Sequence, residues 1–213
     1  MSFDPKIIAK ARREISRRDE VMKSVMRQVG PFTLKAEPGG YEILVRSILS
    51  QQISTAAART IRTRLQSLLP RRRFSAKAID SLTDDQLQSV GVSAQKRTYL
   101  RDLTRCTLDG TIRFHRISKA SDEEAIAELI QVKGIGRWTA QMFLLFSLGR
   151  LDVFAPDDLG LQNAITRLYG YEERPRREEL LSVSEKWAPW RSIASWYLWR
   201  SLDLKTSADE YPV

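Results

Sequence analysis

Apolar residues recur at intervals of three and four along almost the whole chain: Ile7, Ile8, Ala11 and Ile15, then Val21, Val25 and Val29, then Ile43, Leu44 and Ile48. That spacing returns side chains to one face of a helix, whereas a half-buried strand needs strict alternation, and no convincing alternating segment occurs. The chain therefore reads as all-α, with roughly ten short helices. Helix starts carry chemical marks as well. Ser121 with Glu124 in "SDEEAIAELI" and Thr83 with Gln86 in "LTDDQL" both fit capping boxes. Pro175 is expected to open a helix through "REELLSVSEKW", and Pro189 to break the pattern before "WRSIASWYLWR". "AEPGGYE" and "LLPRRRFS" read as ordinary loops, and there is no repeat, low-complexity tract or long linker.

A chain of 213 residues with 42% hydrophobic content can fill one generous domain or two small lobes. Its 35 Lys and Arg against 26 Asp and Glu leave a charge of +9, much of it in runs such as Arg12-Arg13, Arg17-Arg18, Arg71-Arg72-Arg73, Lys96-Arg97 and Arg176-Arg177. In aggregate this suits a polyanion, most obviously nucleic acid, although any one run alone reads first as a solvated helix face. Cys106 is the sole cysteine and His115 the sole histidine, so neither an intrachain disulfide, an iron–sulfur cluster nor a zinc site is expected. No window approaches the ~18 apolar residues of a membrane span, and the N-terminal stretch lacks the apolar core of a signal peptide. The expectation is a cytoplasmic protein without a membrane partner, nucleoid-associated if prokaryotic.

Between two apolar helical stretches lies "LIQVKGIGRWTA", residues 129 to 140. Gly134 and Gly136 permit positive φ and close approach of a ligand to the backbone. The following helix presents unpaired N–H groups and its positive dipole end at the same spot, a geometry that suits phosphate. The same pattern also serves a plain αα-hairpin that needs glycine to turn.

This segment resembles the helix-hairpin-helix of the DNA glycosylase superfamily, whose motif continues into a Gly/Pro-rich loop and an aspartate. "LDVFAPDDLGLQNAI" supplies both, with Asp158 twenty residues after Trp138. "SILSQQIS" at 47 to 54, "VGVSAQKRTYLRDL" at 90 to 103 and "KWAPWRS" at 186 to 192 are similar to segments of one branch, the 3-methyladenine DNA glycosylase II family, in the family's order. The resemblance implies two helical lobes, an inner one from about 41 to 149 and an outer one formed by 1 to 40 with 150 to 213. DNA would lie across the hairpin and the active site in the cleft between the lobes. With the first motif near residue 41, the expectation is the compact form without an N-terminal β domain.

The chemistry that follows is removal of an alkylated purine such as 3-methyladenine from duplex DNA. Cleaving an N-glycosidic bond builds positive charge on the sugar, which a carboxylate stabilises. Asp158 aligns with the catalytic aspartate, and Asp157 is the better expectation for the helix cap. Glycosylases that also cut the backbone carry a lysine where this chain has Trp138, so a monofunctional enzyme using water is implied. Ser47 replaces the acid of the adenine-mismatch branch. Trp138 and Trp199 match pocket positions suited to a cationic base, and Met142 and Leu159 stand where tyrosines are expected. Flipping the nucleotide calls for a wedge, for which Gln52 and then Ser54 are candidates. Lys96, Lys133, Gly134, Gly136, Arg137 and Thr139 are the remaining DNA-binding expectations. The resemblance further implies Na+ or K+ on the backbone carbonyls of Ile130, Val132 and Ile135, and a monomer. The alternatives are a non-catalytic helix-hairpin-helix DNA-binding protein, which does not need Asp158, the tryptophans or a wedge, and a helical adaptor, which leaves the hairpin and the charge unexplained.

Overall fold

A computed structural model describes residues 3–204. Among them are thirteen α-helices and one 3-10 turn, with no strand. The helices beyond the expected ten include α5 (Ala76–Asp80), α6 (Asp84–Ser89) and α8 (Phe114–Ile117), which are too short to show a helical period. The chain forms two compact units, Met1–Ala36 with Gly149–Val213, and Glu37–Leu148.

The first unit contains α1 (Pro5–Arg18), α2 (Glu20–Val29), α11 (Leu159–Tyr169), α12 (Arg177–Glu185) and α13 (Arg191–Ser201). Helix α1 buries Ile8, Ala11 and Ile15, one stripe at i, i+3 and i+7, and α2 buries Met22, Val25 and Met26. Each such large side chain contributes on the order of 1.5–3 kcal/mol by leaving water. Helix α13 is buried from Ser192 to Leu198 and again at Ser201, as expected of a helix with neighbours on all sides: α1, α2 and α11 pack against it. Pro175 does not open α12; Arg176, in extended conformation, is the N-cap, and its N–H is taken by the Glu179 carboxylate at 2.8 Å.

The second unit is built around α7 (Ala94–Leu108), which packs on α3 (Gly40–Ser50), α5 and α6. Helix α4 (Thr55–Ser67) and α10 (Arg137–Phe146) flank α3, and α9 (Asp122–Leu129) pairs with α10. Both capping boxes form as expected, Thr83 with Gln86 at α6 and Ser121 with Glu124 at α9. A buried hydrogen bond of 2.7 Å joins Tyr41 of α3 to Thr104 of α7, and burial pushes the Tyr41 phenol up to about 12. The segment "LLPRRRFS" is not an ordinary loop. Pro70–Arg72 forms a 3-10 turn in which Arg71 and Arg72 both take φ +53, a region left-handed for any L-residue.

Candidate functional site

In the second unit, α9 and α10 form the hairpin. Gly134 has φ +82, and a Cβ there would lie 2.3 Å from the Tyr99 ring, so both its backbone and its neighbour require glycine. Gly136 differs from the expectation of positive φ: it is extended (φ −89, ψ 173), and a Cβ would meet nothing within 4 Å. Nothing inside the protein demands a glycine there. It is the N-cap of α10 and supplies no side-chain cap. Among the described residues the N–H groups of Gly134 and Gly136 find no acceptor, and the dipole end of α10 is left open around them.

Three residues that sequence reasoning missed hold this hairpin. The Gln51 amide donates to the Gly134 carbonyl at 2.8 Å, Tyr99 fills the space beneath Gly134, and the Asp102 carboxylate accepts the Lys133 N–H at 2.8 Å. Burial pushes the Asp102 carboxyl up, but the Lys133 N–H and the Arg105 guanidinium outweigh it and hold the group below the usual carboxylate range. The Gln-Gln pair was the available signal: one glutamine braces the hairpin while the other is the wedge candidate. Gln52 is exposed at the turn after α3, with φ +57, a conformation rare outside glycine.

Other expectations need correction. Lys96 is 8% exposed, and its ammonium donates to the Leu49 carbonyl at the end of α3 at 2.7 Å. Burial pushes its pKa down, and its ammonium is committed to a partner inside the protein. Ser54 is the N-cap of α4, its hydroxyl accepting the Ala57 N–H at 3.2 Å. The Thr139 side chain is buried, so what it offers a phosphate is the N–H at the third position of α10. The Arg137 guanidinium is paired with Glu123, whereas the Lys133 side chain is exposed. A cavity of about 450 Å³ lies between α3, α4 and α10, lined by Ser47, Ile53, Thr139, Met142 and Phe143 among others. Met142 is on its wall; Trp138, 42% exposed in the first turn of α10, is not part of the lining.

In the first unit, Asp158 rather than Asp157 caps α11. Its Oδ1 accepts the Leu161 N–H at 2.8 Å and the Trp199 indole N–H at 2.9 Å, and the residue is 8% exposed. The reason is geometric: the helix begins at Leu159, so Asp158 is the residue whose carboxylate reaches the third helical N–H. Asp157 instead makes an exposed ion pair with Arg177 at 2.7 Å. Gly160 was also missed. A Cβ on it would sit 3.0 Å from the Trp199 ring and 3.1 Å from Asp158 Oδ1. Leu159 is 55% exposed beside the carboxylate. Burial alone does not mark this acid, because Asp19 is equally buried and caps α2. Its two oxygens are taken by the Met22 N–H, the Tyr169 hydroxyl and the Trp187 indole at 3.0, 2.6 and 2.9 Å.

Residues 45–189 match the HhH-GPD superfamily of base excision DNA repair proteins. The chain belongs to this superfamily. It is 35% identical over 204 residues to DNA-3-methyladenine glycosylase 1 of Schizosaccharomyces pombe, covering 92% of this chain and 89% of the relative. A structure of that yeast's 3-methyladenine DNA glycosylase in complex with abasic DNA is similar with a TM-score of 0.83 and 34% identity, covering 92% of this chain and 97% of the other. A DNA-3-methyladenine glycosidase from Bacillus halodurans matches with a TM-score of 0.83 and 33% identity, over 98% and 93% of the two chains.

Proposed function

We propose that the chain is a monofunctional DNA glycosylase of base excision repair that hydrolyses the N-glycosidic bond of alkylated purines, 3-methyladenine among them, in duplex DNA. The observation that carries this reading is the Asp158 carboxylate, held at the N-terminus of α11 by a helix N–H and by the Trp199 indole on the same oxygen. As the C1′–N bond breaks, its electron pair leaves with the base and positive charge grows on the sugar; a fixed anion stabilises that charge without reorganising. Water adds at C1′ and loses a proton, leaving an abasic site. Trp138 offers no amine where a lyase would carry its nucleophile, which supports an intact product strand. The enzyme would act as a cytoplasmic monomer, nucleoid-associated if prokaryotic.

DNA would be held through the open N–H groups of Gly134, Gly136 and the first turn of α10, with Lys133 beside them. Hairpin carbonyls also suit a monovalent cation. Those of Ile130 and Ile135 accept no backbone hydrogen bond among the described residues, and that of Val132 accepts only the Ile135 N–H at 3.0 Å. Three neutral oxygens of this kind would hold Na+ or K+, which would add positive charge near the bound phosphate.

The test is base release from duplexes each carrying one alkylated, deaminated or oxidised base, with borohydride present in parallel reactions. Release of 3-methyladenine, an uncut abasic strand and no trapped protein–DNA adduct are expected. A lysine-dependent adduct would overturn the monofunctional reading, and no release from any alkylated duplex would overturn the activity.

A further inference from the structure

From Ile43 to Ile79 the chain carries eight Lys and Arg and not one Asp or Glu. Elsewhere in the second unit arginines have partners within the protein: Arg101 with Asp84, Arg105 with Asp102 and Asp109, Arg137 with Glu123, and Arg97 and Arg113 with the carbonyls of Val92 and Gly110. Within the acid-free stretch only Arg46 is matched, by Glu37 and Glu42 that lie before it. Arg59, Arg62, Arg64, Arg71, Arg72 and Arg73 are not: among the described residues none of these six guanidinium groups has a hydrogen-bond or ion-pair partner.

The backbone adds a second observation. Attraction to the C-terminal dipole of α4 accounts for Arg64 in its last turn. It does not account for two successive arginines at φ +53, where glycine or asparagine would sit at lower cost. Leu69 and Phe74 are buried on either side of the turn, so they pin it while Arg71, Arg72 and Arg73 remain exposed. Strain held in place in this way keeps three guanidiniums pointing out of one corner. At the other end, Arg59 and Arg62 rim the cavity that also touches Thr139 and Met142 of α10. Arg59 and Arg62, about one turn apart, therefore share the cavity side of α4, and the arginine corner follows the end of the helix about 12 Å beyond Arg59; Arg64 faces about 200° away from Arg62 and stands apart from this line.

We propose that α4 and the Pro70–Arg73 turn form a second phosphate-binding track, distinct from the hairpin, that grips the backbone of duplex DNA beside the damaged nucleotide. The inference rests on the DNA-glycosylase reading for its ligand. Guanidinium groups without internal partners are suited to paired hydrogen bonds with phosphate oxygens, and contacts of this kind position a duplex without reading its sequence.

The experiment uses the full chain carrying Arg71→Ala, Arg72→Ala and Arg73→Ala together, with undamaged and lesion-bearing duplexes of about two helical turns across a salt series. The log–log salt slope is expected to fall by about two to three units, with affinity falling equally for both duplexes at low salt. Replacing the three by lysine should restore the slope. An Arg71→Gly/Arg72→Gly pair should melt no lower than wild type and still lose slope, which separates charge from folding. A folded triple variant with wild-type slope and affinity overturns the track. A wild-type chain that binds duplexes with this slope but releases no base overturns the activity and leaves the track standing. One that shows no salt-sensitive affinity overturns both.

Discussion

Helices α10 and α11 begin with the same physical asset, a set of N–H groups with no partner in the helix and a positive dipole end, and the chain treats them in opposite ways. At α11 the protein supplies its own anion: Asp158 accepts the Leu161 N–H and is steadied by Trp199. At α10 it supplies none, since the N-cap is Gly136, whose missing side chain faces open space. A filled N-terminus fixes a charge where chemistry can use it, and an empty one keeps a seat for a charge that arrives with a ligand. On the proposed function the pair would divide binding from catalysis, and substitutions at the two caps should then fail in different ways.

The largest effect is expected from Asp158→Asn. Asparagine caps helices about as well as aspartate, and its amide oxygen still accepts both N–H groups, so thermal stability should move by no more than about 1 kcal/mol. Excision should fall by a factor on the order of 10² to 10³ or more, because only the charge aimed at the developing cation is gone. Single-turnover release with lesion-duplex affinity measured alongside checks both halves; excision at the wild-type rate would remove Asp158 from the mechanism.

Next comes the exchange that makes α10 resemble α11. Gly136→Asp should fold normally, because the residue is already extended and a Cβ there meets nothing. It should gain a few tenths of a kcal/mol from the new cap. Duplex affinity should drop at least about tenfold, for damaged and undamaged DNA alike, as the new carboxylate occupies the phosphate seat. A variant that is stabilised yet binds DNA like wild type would show that the hairpin is only a turn.

What the sequence revealed follows the range over which each signal acts. Helical periodicity and capping boxes are local, so the all-α class and the starts of α6 and α9 could be read directly, while helices of four to six residues end before the pattern can repeat. The hairpin was legible as a motif, but its supports were not. Gln51, Tyr99 and Asp102 reach it from 83, 35 and 31 residues away, and no local pattern announces such bonds. Lys96 misled because charge in a sequence says nothing of where the stem leads: four methylenes carry the ammonium inward to a carbonyl. The two adjacent aspartates were assigned in reverse for capping, since one residue of phase decides which carboxylate reaches the third N–H.

A smaller effect should come from the neighbour that leaves room for the filled cap. Gly160→Ala raises helix propensity by up to about 1 kcal/mol. Its Cβ, however, arrives 3.0 Å from the Trp199 ring and 3.1 Å from Asp158 Oδ1, so the indole or the carboxylate must shift by a few tenths of an ångström. The expected outcome is unchanged or higher thermal stability with kcat lowered about tenfold and DNA affinity retained. Wild-type kcat would mean that the Trp199 hydrogen bond does not set the carboxylate's position.

The smallest effect on DNA is expected at a third N-terminus, that of α4, which is neither open nor acidic. Ser54 accepts the Ala57 N–H there as ordinary capping residues do, and it lies two residues from the strained Gln52 at the same exposed turn. If the hydroxyl only caps the helix, Ser54→Ala should cost about 1 kcal/mol of stability. Duplex affinity should remain within about twofold of wild type once the comparison is made well below the melting temperature. Gln52→Ala, by contrast, should slow excision more from paired than from mismatched lesions, because a wedge matters most where opening the stack is costly. Thermal unfolding and single-turnover release on matched and mismatched duplexes distinguish the two. Should Ser54→Ala show the same paired-over-mismatched deficit, the hydroxyl would belong to the wedge, and the sequence-based expectation for Ser54 would hold after all.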